Sequence, residues 1–276
     1  MLGKLMKYDM KYMARVLPWM YLGGICFSIL CCMLIAFVPE KMEIISFLST
    51  TLMPAFCVMM SEAIVIITVV FLIMRTYRSL YSDEGYLTFT LPVKNSTILN
   101  AKILSGAIWM TASLIVAYLV TYLPDYVSSL IYARSSSYIE IPYEYGEVTA
   151  TNPVTALLNL LMLGVTIITV IFLVPSLYTF CCTVTHKAKR ARAFASIGMF
   201  VGIMYALVLI GAVILVVISA TFLSYVLTED SAVIQTMGVD FITFIMIGIV
   251  ELIIAPVTIF SWLMSCHIVN KKLNLL

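Results

Sequence analysis

Apolar residues gather into six long blocks along the chain, near 17–38, 52–74, 101–123, 154–182, 194–226 and 239–265. A helix needs roughly 20 apolar residues to cross about 30 Å of hydrocarbon, and each block reaches that length. The pattern predicts an all-α, polytopic membrane protein with about six transmembrane helices. The fifth block is long enough to tilt strongly or to hide a break. Residues 2–16 read differently. Lys4, Lys7, Lys11 and Arg15 recur at spacings of three and four, which gathers them on one helical face. Leu5, Met6, Met10, Met13, Val16 and Leu17 line the other side. This predicts an N-terminal amphipathic helix on the membrane surface, its cations toward anionic headgroups. Pro18 then redirects the chain into the first span. A plain basic anchor is the alternative.

Composition agrees with the pattern. The 276 residues are 63% hydrophobic and 11% charged, where a soluble domain carries about 25% charged residues. Surface-to-volume scaling would not let a soluble fold hide so much apolar surface, so the solvent for most of this chain is lipid. Fourteen of the sixteen Lys and Arg residues fall before the first span, within 75–102, within 183–193, or in the tail. The alternate connections hold only Lys41 and Arg134. The positive-inside rule then places both termini in the cytoplasm, which requires an even number of spans. The first span is too long for a signal peptide and lacks a small-residue cleavage site, so it is expected to be retained.

Signs of catalysis are few. The seven cysteines lie in or beside spans without metal spacing and read as small apolar filler. His186 and His267 fit no metalloprotease pattern. No G-x-S-x-G nucleophile turn is present. No phosphate-binding loop is present either, so ATP and Mg, if used, belong to another chain. The net charge of +2 says little about partners, and no nucleic-acid partner is expected. Two carboxylates fall inside spans, Glu62 and Glu251. An ionised group there costs about 3 kcal/mol, so each is expected to face the bundle interior or water. They are either polar points on a substrate or proton path, or structural hydrogen-bond acceptors. Gly198 and Gly202 form a G-x-x-x-G pair that permits close helix packing. The 124–153 segment, with Tyr126, Tyr132, Tyr138, Tyr143 and Tyr145, reads as the larger outer loop.

The connection 75–97 is longer than a helix hairpin needs. It opens with Arg75 and Arg78, continues through Asp83, Glu84, Gly85 and Tyr86, and then carries Phe89 and Leu91. Gly85 suits a left-handed helix cap. Pro92 followed by Asn95 or Ser96 reads as a turn and N-cap into the third span. The alternative is a loop packed on its own bundle. The opening LGKLMKYDMKYMARVLPWMY and the phrase DEGYLTFTLPVKNSTILNAKILSGAIW, with six spans and no nucleotide-binding domain, resemble the ABC-2-type permease subunits of Gram-positive bacterial exporters. The remaining apolar sequence matches by pattern only. The resemblance implies an elbow helix at 2–16 and a coupling segment within 75–97 that docks on a separate ABC ATPase. It also implies a second permease copy or a sister permease, with the pathway formed between the two. Two rivals remain open: a proton-coupled secondary transporter using Glu62 and Glu251, and a non-transporting immunity or scaffold protein.

Overall fold

The computed structural model describes residues 2–37, 43–81, 85, 93–135, 153–185, 192–228 and 232–272. They form seven helices: α1 Leu2–Met13, α2 Leu17–Phe37, α3 Glu43–Tyr81, α4 Asn95–Ser135, α5 Pro153–Thr185, α6 Arg192–Thr228 and α7 Ala232–Lys272. Among the described residues, six of them contain stretches long and apolar enough to cross a membrane: Leu17–Phe37, Leu52–Tyr81, Asn95–Val127, Leu157–Thr185, Ala193–Ile214 and Ile247–Asn270. The chain is an all-α, multi-pass membrane protein.

Helix boundaries follow local chemistry. The backbone bonds at the end of α1 shorten their span, with Ala14 N–H to Met10 O at 2.8 Å, then Val16 N–H to Met13 O at 3.1 Å. Such tightening satisfies carbonyls that the helix end would leave bare. Pro18 falls in the first turn of α2, where its missing N–H has no intrahelical acceptor to lose. At the start of α4 the carbonyl of Lys94 accepts from Thr97 N–H at 2.9 Å. Lys94 is therefore the capping position, one residue before the expected Asn95. Gly85 is buried and does not adopt the left-handed conformation expected of it. Its requirement is steric, since a Cβ there would overlap the Leu80 carbonyl oxygen. The long fifth block is one unbroken helix, α6, and a Cβ added at Gly198 or Gly202 would meet nothing within 4 Å, so among the described residues the pair makes no close helix contact.

The chain divides into two compact units, Met1–Arg75 with Asn100–Glu144, and Thr76–Leu99 with Tyr145–Leu276. In the first, α2 packs closely on α3 and α4. A Cβ on Gly24 would overlap Ile64 Cδ1 and lie 3.7 Å from Val120 Cγ2. Tyr21 Oη lies 3.3 Å from Thr68 Oγ1 and donates to the Trp109 carbonyl at 3.4 Å. In the second unit α5 packs on both α6 and α7. Thr185 and Ser196 hydroxyls meet at 2.5 Å, tying the end of α5 to the start of α6.

The first part of the expected outer loop 124–153 is helical, because α4 continues through Pro124 to Ser135. A proline inside a helix leaves the carbonyl four residues earlier without its donor. Here that carbonyl is Val120 O, and Ser28 Oγ of α2 donates to it at 3.1 Å. A neighbouring helix thus supplies the bond that the proline removes, the usual condition for proline inside a span. Ser28→Ala should lower unfolding free energy by about 1–3 kcal/mol, the cost of an unsatisfied buried acceptor. Adding Pro124→Ala restores an N–H for Val120 and should recover most of that loss. Thermal unfolding of the four variants checks this, and an equal loss with and without Pro124 would contradict it.

Candidate functional site

The principal polar cluster among the described residues lies in the first unit, where α1 meets α3 and α4. Asp9 sits at helical spacing from Leu5 and Met13, so it occupies the inward face of α1. It is 4% exposed. Lys102 Nζ donates to both of its oxygens, at 2.6 Å to Oδ1 and 2.5 Å to Oδ2. An Arg75 Nη lies 3.6 Å from Oδ1. The Arg75 guanidinium also sits over the Tyr12 ring, 4.1 Å from its centroid, and Tyr12 stacks on Phe71. A cation over an aromatic face is attracted by the ring quadrupole, more strongly where water is excluded. Buried ion pairs cost desolvation to assemble, but removing one member strands the others, at about 3–5 kcal/mol. Two cations on one carboxylate make that penalty acute at Asp9.

On the opposite face of α1, Lys4, Lys7 and Lys11 are exposed, as the helical spacing predicts, and so is Arg15 in the turn that follows. Met13 and Leu17 are buried, whereas Val16, in the turn after α1, is exposed. Arg75 was expected to face a partner. Its side chain is instead 14% exposed and engaged within the chain by Asp9 and Tyr12, while Arg78 remains exposed. Asp83, Glu84, Tyr86, Phe89 and Leu91 lie outside the described residues. No family model, no curated protein and no solved structure matches the chain.

The two carboxylates of the spans behave differently. Glu251 on α7 is half-buried and accepts from Thr169 Oγ1 of α5 at 2.9 Å, an interhelical bond within the second unit. Glu62 does not face the interior of its own unit, the first of the two positions expected of it. It is exposed, in a stripe on α3 with Phe56, Met59 and Ile66. Its neighbour Ser61 is buried and returns its hydroxyl to Val58 O. The helical phase that buries Ser61, Ile64 and Thr68 turns Glu62 outward. A further exposed feature is a ladder on α4, where Tyr118, Tyr122 and Tyr126 stack with ring centroids 5.4 and 5.9 Å apart. Its signal was available as tyrosine at every fourth position. All seven cysteines are free thiols, four of them buried, and no group of residues suited to a metal ion occurs among the described residues.

Thr169→Val removes the donor to Glu251 and should lower unfolding free energy by about 0.6 kcal/mol, the average for interhelical hydrogen bonds in membranes, and by no more than about 1.7 kcal/mol. Denaturant unfolding in mixed micelles reads this out. A Thr169→Val variant as stable as the parent would show that Glu251 is held by something else.

Proposed function

We propose that this chain is the membrane-spanning permease subunit of an ATP-driven exporter in a bacterial cell membrane, with both termini in the cytoplasm. The observation that carries the reading is the resemblance of its opening and of DEGYLTFTLPV, on the connection between α3 and α4, to ABC-2-type permeases. Three further observations support it. Six helices have the length and apolarity of spans. The sequence holds no phosphate-binding loop, so energy from ATP enters through a separate chain. Glu62 stands exposed on a spanning helix, a costly position in lipid and an acceptable one beside water or a second subunit.

In this reading two permease copies, identical or sister chains, form the pathway between them. The 75–97 segment meets the ATPase, with Asp83 and Glu84 toward its basic surface and Phe89 and Leu91 as apolar contacts. ATP-driven closure of the ATPases moves these segments and alternates access across the membrane. The permease itself carries out no chemistry, and ATP and Mg stay on the partner.

Reversing Asp83 and Glu84 together to Lys places like charge at the contact, which costs several kcal/mol and discriminates against the partner. Insertion should be unaffected, because added positive charge favours the cytoplasmic side. The expected outcome is a stable permease that no longer retains its ATPase in pull-down and no longer transports. Phe89→Ala with Leu91→Ala should weaken retention less. Undiminished retention by the double Lys variant would remove the acidic pair from the contact.

A further inference from the structure

Two positions near the neighbouring ends of α3 and α4 meet the same carboxylate. Arg75 lies six residues before the end of α3 at Tyr81, and Lys102 seven residues after the start of α4 at Asn95. Both are bound by Asp9, from a helix that belongs to neither flanking span. Tyr12, one turn further along α1, adds its ring beneath the Arg75 guanidinium. α1 is therefore tied by its inward face to α3 and α4 within about two turns of the ends that the 82–94 connection joins, as well as presenting lysines outward.

We infer that Asp9 is a positioning residue, which fixes the spacing of the α3 and α4 ends and so presents the intervening segment to the ATPase. This deepens the permease reading above and rests on it for the identity of what docks there. The physical reason is charge balance. With Asp9 ionised, one anion holds two cations together in a water-poor site. Without it, Arg75 and Lys102 face each other as like charges and the helix ends separate. A surface anchor would need only the exposed lysines and the apolar face of α1. It would gain nothing from a buried acid on that face, which costs desolvation and weakens membrane binding. The cluster thus links the position of a membrane-surface helix to the geometry of the segment between α3 and α4.

The test uses the full-length chain in nanodiscs, with native cysteines replaced and spin labels at Arg78→Cys and Lys94→Cys, both exposed positions. Wild type should give one narrow distance distribution. Asp9→Asn keeps the size and loses the charge; it should broaden the distribution. It should also speed tryptic cleavage at Lys11 and Arg15 by about tenfold or more, as expected for loss of a charge-assisted hydrogen bond. Exchanging the charges with Asp9→Lys and Lys102→Glu keeps the cluster's composition and should restore much of both readouts. A narrow, unshifted distribution in Asp9→Asn would overturn the inference. So would broadening that the exchange variant fails to reverse at all while it folds and inserts normally. In the complex, Asp9→Asn should retain the ATPase in pull-down yet transport about tenfold more slowly or worse, by the same loss of holding energy. Transport at the wild-type rate despite a broadened distribution would leave Asp9 as an anchor only and overturn its positioning role. A wild-type chain that recruits no ATPase would defeat the permease reading, and the spin-label result would still decide whether Asp9 sets the spacing.

Discussion

Hydrocarbon offers no hydrogen bonds, so every polar group carried into it must find its partner within protein or at a wet surface. That constraint organises what the described residues show. Hydroxyls inside the spans mostly return to the carbonyl three or four residues back on their own helix, as Thr68 does to Ile64 and Ser265 to Ser261. Where this local solution fails, a neighbouring helix completes the bond. Pro124 frees the Val120 carbonyl and Ser28 fills it. Where full charges are involved, the solution becomes a cluster. Lys102 and Arg75 converge on Asp9, and the surface helix that bears the acid is tied down with it.

The same constraint isolates what this chain alone leaves open. Glu251 has its hydrogen bond from Thr169, and its position is explained by helix packing. Glu62 is exposed on a spanning helix, and the Tyr118, Tyr122 and Tyr126 ladder is exposed on another. An exposed carboxylate in a span is consistent with a surface that lipid does not cover. The permease reading supplies such a surface by placing two chains around a pathway. It also gives the acidic and aromatic connection between α3 and α4 a partner whose chemistry the chain lacks.

The six spans were legible because apolar run length is a strong one-dimensional signal, and the observed limits lie close to the blocks read from sequence. The outward face of α1 was legible for a related reason, since charge at spacings of three and four survives projection onto a line. What failed to show were contacts across sequence. Pro124 reads as a loop start until Ser28, 92 positions away in the bonded pair with Val120, supplies the missing donor. Asp9 reads as one polar residue in a polar helix until its register with Leu5 and Met13 is noticed, and its partners lie on other helices. Arg75 was a candidate contact because it opens the 75–97 segment that the resemblance implies docks on an ATPase; its guanidinium turns back onto Tyr12. Glu62 was expected to face the bundle interior or water from its cost in lipid, an argument that fixes the need for polar company and leaves its direction open. The acidic pair Asp83 and Glu84 lies outside the described residues, and its proposed role rests on sequence.

The account's central claim is that this chain is one part of a larger machine that takes energy from an ATPase. Native mass spectrometry after affinity purification from the source membrane in mild detergent tests it most directly. The account predicts a mass containing two permease chains together with ATP-binding-cassette subunits. A chain that leaves the membrane intact and folded, with its bound lipid and with neither a second permease nor an ATPase, would contradict it.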